Sequence, residues 1–363
     1  MMKLKELSLR QFRNLHNVKL GFSEHINVFY GENGQGKTNL IEAIVFLSSA
    51  RSFRVRNDKV LIQDNFEFGR VEAEMLSNGQ DYSLLAVISQ EGKYFEVNQQ
   101  AIARLSDFIG YCNVVLFNPD DLNLFTTSPG VRRREFDYEL GKLSKTYLQD
   151  LNRAQHLLKE RNSYLKENEI DDLYLEILTN NLIDVSVSVM TSRNEFIAAL
   201  NPVVNEYFKI ISGMDIDISL QYESAVNLKE NHFKEELSRI YASSLQRDRQ
   251  FGMTHRGFHR EDIIFYMNGK PVSDVASQGQ RRLIILAYKI ALTKLIAKLS
   301  GQYPILCLDD LFSELDSQRR YQVLKALPED MQVFISTTDL SFLETNKPLR
   351  IFEIKNGEVY QGG

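Results

Sequence analysis

The segment Gly31–Thr38, which reads GENGQGKT, constrains the fold of this chain more than any other feature. It matches the pattern G-x-x-x-x-G-K-S/T and lies between an apolar strand-like run, Ile26–Tyr30, and an amphipathic helix-like run, Asn39–Leu47. Glycines let consecutive backbone N–H groups face an anion, and the N-terminus of the following helix adds positive potential. The pattern therefore predicts a P-loop, a phosphate-binding strand–loop–helix unit, within an α/β fold.

The residue types within this loop predict separate roles. Lys37 is expected to act catalytically by reaching the β- and γ-phosphates of ATP, and Thr38 to place its hydroxyl on Mg²⁺. The other residues expected to surround the phosphates are Gly31, Glu32, Asn33, Gly34, Gln35 and Gly36. The alternative is a glycine-rich turn that precedes Lys-Thr by chance, and the flanking strand and helix argue against it.

A second apolar strand-like run, Ile305–Leu308, ends in two adjacent carboxylates, Asp309 and Asp310. One carboxylate at such a position can hold Mg²⁺ beside the P-loop threonine, and its neighbour can orient or deprotonate the attacking water. Buried strands that run into polar turns are common, so this pattern predicts a metal site only in combination with the P-loop. We expect Asp309 to be a metal ligand and Asp310 to be a catalytic residue.

The segment Ser277–Gln280, SQGQ, precedes a basic helix-like stretch. By itself it is explained equally well by a helix N-cap, for which serine is well suited. Together with the motifs above and Ser313–Asp316, SELD, it resembles the signature motif and D-loop of ABC-type ATPases. In that family ATP lies between two heads. The resemblance implies that Ser277, Gly279 and Gln280 contact ATP held by a second copy of the chain, with Ser277 contributing to catalysis.

Strand-like and helix-like patterns divide the chain into three segments. Alternating apolar residues predict an antiparallel sheet that includes Arg70–Met75 and Tyr82–Ser89. Between about 132 and 212, apolar residues at three- and four-residue steps predict paired long helices, the first running from about Arg132 to Lys166, roughly 50 Å. We expect a head lobe with the P-loop over 1–130, a helical arm over 131–212, and a return to the head over 213–363.

The charge balance restricts any DNA contact to local patches. Lys and Arg number 43 and Asp and Glu 48, a net charge of −5, so the chain lacks an overall basic surface. Arginine clusters are the candidates for contacts with DNA phosphates. They are Arg51, Arg54, Arg56, Arg132, Arg133, Arg249 and Arg256. A solvated face or an internal ion pair is the alternative for each, and Arg51 and Arg54 have a role at the nucleotide as a further alternative.

Cysteine content and hydropathy predict the compartment. Cys112 and Cys307 lie far apart without C-x-x-C spacing, which argues against a disulfide framework and a cysteine-rich zinc site. The N-terminal stretch lacks the apolar core of a signal peptide, and charges interrupt the apolar runs before the ~20 residues that a membrane span needs. We expect a cytoplasmic protein.

Further segments extend the resemblance over almost the whole chain. The segments Gln11–Leu15 (QFRNL), Ala50–Arg54 (ARSFR) and Pro119–Leu122 (PDDL) resemble the RecF family of bacterial recombination mediators. This resemblance implies an ABC-type P-loop ATPase head, with a mixed sheet plus an antiparallel sheet and an inserted α-helical arm domain. It also implies ATP and Mg²⁺ as cofactors, an ATP-dependent homodimer on DNA, and work with RecR and RecO in recombinational repair and replication-gap processing.

Departures from the ABC pattern predict slow hydrolysis, so that the protein would be a weak ATPase that acts as a switch. Asp310 stands where most ABC ATPases have glutamate, and Thr337 or Thr338 where they have histidine. Water positioning is sensitive to such small displacements. Asn118 is a candidate for the glutamine between the head lobes. Two other functions remain open: the ATPase subunit of a membrane transporter, and a nucleotide-binding scaffold without DNA contact.

Overall fold

The structure is a computed structural model, and it describes residues 1–228, 232–312, 315–341 and 348–361. Its strands are β1 Lys3–Phe12, β2 Leu15–Gly21, β3 Ile26–Tyr30, β4 Phe68–Ser77, β5 Gln80–Ser89, β6 Lys93–Val97, β7 Gln100–Ala101, β8 Val114–Phe117, β9 Ile218–Glu223, β10 Asp262–Met267, β11 Lys270–Pro271, β12 Ile305–Leu308, β13 Val333–Thr337, β14 Leu349–Lys355 and β15 Glu358–Gln361. Its helices are α1 Lys37–Ser49, α2 Leu105–Phe108, α3 Pro129–Leu143, α4 Lys145–Tyr164, α5 Asp172–Ser212, α6 Phe233–Phe251, α7 Val272–Val275, α8 Gln278–Ser300 and α9 Ser317–Ala326.

The chain forms two compact units. The first comprises Met1–Asp121, Glu206–Met214 and Leu283–Gly363, and the second comprises Leu122–Asn205 and Asp215–Arg282. Helices α5 and α8 each contribute residues to both units. The division into head lobe, arm and returning head segment stays a prediction.

The mixed sheet of the first unit positions the P-loop. Its strand order is β15-β14-β3-β13-β12-β8, and all neighbouring pairs are parallel except β14 with β15. The predicted strands Ile26–Tyr30 and Ile305–Leu308 are confirmed to the residue as β3 and β12. Because β3, β13 and β12 are adjacent and parallel, the residues that follow them meet at the same edge of the sheet.

An antiparallel sheet completes the core of the first unit, in the order β2-β1-β4-β5-β6-β7. The prediction of antiparallel strands around Arg70–Met75 and Tyr82–Ser89 is confirmed, and β1 and β2 join the same sheet. Helix α1 is buried at 11 of its 13 residues, and its apolar side chains share one core with residues of both sheets. The prediction of an amphipathic helix over Asn39–Leu47 is therefore wrong in one respect, because every residue from Leu40 to Ser49 is buried and this part of the helix has no solvent-facing side.

The second unit contains helices and a small antiparallel sheet, β11-β10-β9. The prediction of one continuous helix from Arg132 to Lys166 is wrong, because α3 ends and α4 begins at Ser144. Ser144 has extended backbone angles, and its hydroxyl accepts a 3.1 Å hydrogen bond from the N–H of Tyr147, which caps α4. The paired helix α5 spans 41 residues, roughly 60 Å.

Candidate nucleotide-binding site

The P-loop leaves the end of β3 and enters the first turn of α1, as the sequence predicts. Gly31 and Gly36 have φ angles of 155° and 122°, which glycine adopts without steric strain. A Cβ atom at Gly31 would lie 2.4 Å from the carbonyl oxygen of Ile354, and one at Gly36 would lie 2.9 Å from Oδ1 of Asn14. Both glycines are therefore required for the close path of the loop to the N-terminus of α1, where the helix adds positive potential.

Lys37 is folded back into the loop. Its ammonium donates hydrogen bonds to the carbonyl oxygens of Gly31 at 2.6 Å and Glu32 at 2.7 Å, and the residue is 6% exposed. Burial lowers the pKa of Lys37, and the negative charges of Asp310 and Asp309 oppose that shift. The other predicted loop residues Glu32, Asn33 and Gly34 are exposed, and Gln35 is half-buried. The loop thus holds one inward-facing cation.

Thr38, Asp309 and Ser336 form a hydrogen-bonded set at the edge of the mixed sheet. The hydroxyls of Thr38 and Ser336 both donate to Oδ1 of Asp309, at 3.1 Å and 2.5 Å. Burial raises the pKa of Asp309, and these two hydrogen bonds oppose that shift. Mg²⁺ is usually held in proteins by one or two carboxylates together with phosphate and water oxygens. The carboxylate of Asp309 and the hydroxyl of Thr38 therefore fit a magnesium ion beside the P-loop.

Asp310 lies next to this set and lines a cavity of about 210 Å³. Its backbone N–H donates to Oγ of Ser336 at 2.9 Å, and its φ angle of 50° is uncommon for a residue other than glycine. The other residues that line this P-loop cavity are Asn33, Gly34, Gly36, Lys37, Thr38, Asn39, Arg54 and Ser336. The structure thus brings the predicted P-loop and Asp310 to one cavity, and Asp309 is hydrogen-bonded to two residues that line it, Thr38 and Ser336. The cavity carries an ammonium and a guanidinium group, which suits polyphosphate.

The segment Ser277–Gln280 belongs to the second unit and caps helix α8. The N–H of Gln280 donates to Oγ of Ser277 at 3.2 Å, and the N–H of Ser277 donates to Oε1 of Gln280 at 2.9 Å. This reciprocal pair is a capping box, so the N-cap interpretation of Ser277 is confirmed. A Cβ atom on Gly279 would meet no other side chain or distant backbone within 4 Å in the described residues. The described parts of the chain thus give no steric reason for glycine at this position.

The structure describes the positions of two of three further predicted features: the threonines that replace histidine, and Asn118. Ser313 and Glu314 of the predicted D-loop lie outside the described residues. The hydroxyl of Thr337, at the end of β13, donates to the carbonyl oxygen of Asp339, and Thr338 is exposed. Oδ1 of Asn118 accepts a hydrogen bond from the N–H of Asp120 in the turn after β8. The role of Asn118 as a substitute for glutamine stays a prediction.

The candidate DNA-binding arginines of the first unit lie in the loop after α1. Arg54 lines the P-loop cavity, where Nη1 donates to Oδ1 of Asn39 at 2.8 Å. Arg51 and Arg56 are exposed. The loop therefore turns one arginine towards the cavity and presents others to solvent.

The candidate arginines of the second unit differ in exposure. Nε of Arg132 donates to Oδ1 of Asp262 at 2.8 Å, and Arg133 donates to the carbonyl oxygens of His259 and Glu261. Burial lowers the pKa of Arg133. Arg249 and Arg256 are both exposed, and Arg249 also pairs with Asp172 at the surface. The alternative of internal contacts thus describes Arg132 and Arg133: the first attaches α3 to the first residue of β10, and the second attaches it to the segment before β10.

Sequence reasoning missed Ser336, Asn14 and Asn39. Ser336 lies at the carboxyl end of β13, a position at which polar residues of parallel sheets commonly contact ligands, and this signal could have identified it. Asn14 donates to the carbonyl oxygen of Gln35 at 3.0 Å and accepts from Nδ2 of Asn39 at 2.8 Å. The contact with Gln35 requires the turn between β1 and β2 to approach the P-loop, which no local pattern reveals.

Comparison with known proteins gives a consistent family. The family model described as RecF/RecN/SMC N terminal domain matches residues 3–359. A relative from Halalkalibacterium halodurans, named DNA replication and repair protein RecF, is 39% identical over 371 residues. The matched region covers 100% of this chain and 100% of the relative. A relative of the same name from Listeria monocytogenes is 38% identical over 367 residues, which cover 99% of both chains.

Solved structures agree with this result. A structure described as the recombination mediator protein RecF-ATP in the RecFOR pathway superposes with a TM-score of 0.90 at 31% identity, covering 100% of this chain and 98% of the other. The Smc head domain of Pyrococcus furiosus superposes with a TM-score of 0.60 at 15% identity, covering 100% and 97%. The second likeness concerns the fold alone. The predicted fold class, an ABC-type ATPase head with α/β architecture, is confirmed. In the described ranges, no helix has the length and apolar character needed to span a bilayer.

Proposed function

Because this chain belongs to the RecF family of DNA replication and repair proteins, we propose that it binds ATP between two copies of itself and thereby closes on DNA. The observation that carries the ATP-binding part of this proposal is the hydrogen bond between Thr38 of the P-loop and Asp309 after β12, beside the cavity that Thr38 and Lys37 line. The charges and positions of these groups suit a nucleoside triphosphate with a divalent cation.

Each residue of the first unit has a defined task in this proposal. The ammonium of Lys37 exchanges its two carbonyl acceptors for phosphate oxygens, and the N-terminus of α1 contributes its potential. Thr38 and Asp309 hold Mg²⁺, which when bound neutralises charge on the phosphates. Asp310 orients the attacking water and accepts its proton. The relative described as RecF-ATP supports ATP as the nucleotide.

The signature segment supplies the second half of the nucleotide site in trans. Ser277 and Gly279 lie at the exposed N-terminus of a 23-residue helix, α8, where N–H groups and the helix dipole favour an anion. The space that the described residues leave open at Gly279 permits a close approach of another molecule. We propose that this terminus contacts the terminal phosphate of ATP held by a partner copy, so that ATP joins two heads.

Hydrolysis is proposed to be slow, so that the protein works as a timed switch. Asp310 is one methylene shorter than glutamate, and the neighbouring Thr337 uses its hydroxyl within its own turn. A base placed too far from the water loses much of its effect. Hydrolysis then releases the partner and the DNA.

DNA is proposed to contact the exposed arginines rather than those held internally. Arg51, Arg56, Arg249 and Arg256 are exposed, and phosphate contacts of this kind show little sequence preference. The relative of known structure is described as acting in the RecFOR pathway, which supports RecR and RecO as partners. We place this work in the cytoplasm. The family relationship does not favour the transporter alternative.

The test is DNA binding measured with a fluorescent gapped duplex in the presence of ATP or ADP. We expect ATP to tighten binding about 10-fold relative to ADP, a usual size for coupling between two sites. Lys37→Met should abolish this difference, whereas Lys298→Met, which removes an exposed lysine elsewhere in the first unit, should preserve it. Equal DNA affinity with ATP and ADP in the native protein would favour the scaffold alternative.

A further inference from the structure

Glu42, a buried carboxylate on α1, takes no part in the contacts that hold the nucleotide in the proposal above. Its side chain is completely buried. Arg13 binds it with two hydrogen bonds of 2.9 Å, from Nε to Oε2 and from Nη2 to Oε1, and the hydroxyl of Ser52 donates to Oε1. A buried charge is costly unless its partners are well placed. The contacts from Arg13 hold the turn between β1 and β2 against the helix, and the contact from Ser52 holds the segment after α1.

The same carboxylate lies beside Arg54, which lines the P-loop cavity. Nη1 of Arg54 is 2.8 Å from Oδ1 of Asn39 and 3.5 Å from Oε2 of Glu42. The Arg54 side chain is 41% exposed, so it has room to turn into solvent. These two acceptors keep its guanidinium at the cavity.

Ser52 organises the loop that carries Arg54. Oγ of Ser52 accepts hydrogen bonds from the N–H of Arg54 at 3.0 Å and of Val55 at 3.1 Å, while its hydrogen is donated to Glu42. The backbone of Arg54 and its guanidinium therefore both depend on the position of one carboxylate.

A line of amide groups links this cluster to the P-loop. Nδ2 of Asn39 donates to Oδ1 of Asn14 at 2.8 Å, and Nδ2 of Asn14 donates to the carbonyl oxygen of Gln35 at 3.0 Å. Asn14 follows Arg13 in the turn between β1 and β2. One turn therefore contacts the P-loop through Asn14 and holds Glu42 through Arg13.

We propose that Glu42 is a positioning residue which, together with Arg13, directs the guanidinium of Arg54 towards the phosphates of bound ATP. This inference rests on the proposed ATP site. Guanidinium–phosphate contacts are directional and charge-assisted, so a small displacement of the arginine loses much of the contact. Arg54 accordingly contributes to nucleotide binding, and its exposed neighbours Arg51 and Arg56 are left for DNA.

A double-mutant cycle tests this inference. ATP affinity is measured by calorimetry for the native protein, Glu42→Gln, Arg54→Ala and the double variant. We expect each single variant to weaken ATP binding about fivefold, and the double variant to match Arg54→Ala within about twofold, because residues that act through one another are not additive. Effects that multiply in the double variant, or an unchanged affinity in Arg54→Ala, would overturn the inference.

Two controls separate positioning from loss of stability. Glu261→Gln neutralises another buried glutamate, in the second unit, and should leave ATP affinity unchanged. If Glu42→Gln does not fold because Arg13 is left unpaired, the charge-free pair Arg13→Gln/Glu42→Gln replaces it in the cycle, with the same expected result. A native protein that binds no ATP overturns the proposed function, whereas a native protein that binds ATP with multiplicative effects overturns only the role of Glu42.

Discussion

The hydroxyl of Thr38 lies 3.1 Å from Oδ1 of Asp309, although the two residues are 271 positions apart in the chain. Strands β3 and β12 lie on either side of β13 in the parallel part of the mixed sheet, so both residues reach the same edge. Ser336 at the end of β13 donates to the same oxygen and completes the set. The fold therefore builds the proposed magnesium site from three adjacent strands.

Asp310→Asn should separate nucleotide binding from hydrolysis. Asparagine tolerates the positive φ angle of this position but cannot accept the proton of the attacking water. ATP binding should persist, and the hydrolysis rate in a phosphate-release assay should fall about 100-fold or more. Unchanged turnover would show that another group acts as the base.

Gly279→Ala should affect pairing and not folding. A methyl group at this position has space in the described chain, and alanine favours a helix by up to about 1 kcal/mol relative to glycine. The melting temperature should stay the same or rise, while sedimentation in ATP should show at least 10-fold weaker dimerisation, since the methyl would lie between helix and phosphate. Normal dimerisation of this variant would contradict a phosphate contact at Gly279.

Arg56→Gln should change the salt dependence of DNA binding, whereas Arg132→Gln should change the stability of the fold. Arg56 is exposed, so its loss should reduce the slope of log affinity against log salt by about 0.9. Arg132 is paired with Asp262, so its loss should lower the melting temperature and leave the slope unchanged. The reverse pattern would place DNA on the surface of α3.

His259 should make stability depend on pH. Its Nε2 lies 3.0 Å from the carbonyl oxygen of Thr254, and burial lowers the pKa of His259 from 6.5 to about 4. Between these values the unfolded chain binds the proton and the folded chain does not, so stability falls as pH decreases through this window.

The contribution of His259 is measurable by urea unfolding. From pH 7 to pH 5 the native protein should lose about 2 kcal/mol more than His259→Gln, whose amide retains a donor for Thr254 and does not titrate. Equal losses in both proteins would show that His259 titrates normally when folded.

Structural features that depend on neighbouring residues can be predicted from this sequence, and features that depend on contacts between distant residues cannot. The strands Ile26–Tyr30 and Ile305–Leu308 were predicted to the residue because central parallel strands are apolar throughout and end at polar loops. The break at Ser144 was missed because apolar spacing continues across it, from Leu140 to Tyr147.

The candidate site follows the same division. Lys37, Thr38, Asp309 and Asp310 belong to short motifs whose chemistry is readable along the chain. In the sequence, Glu42 does not differ from other polar residues of a helix. Only the fold shows that the turn at Arg13 contacts it. Its importance depends on register and packing between separate segments, which local sequence does not encode.

Light scattering on size-separated protein tests the central proposal, ATP-dependent pairing through the signature helix, most directly. The native protein should have a mass near 42.0 kDa with ADP and about twice that with ATP. Ser277→Arg should bind ATP and remain near 42.0 kDa, because the exposed N-terminus of α8 would be blocked. A Ser277→Arg protein that dimerises with ATP as the native protein does would contradict the account.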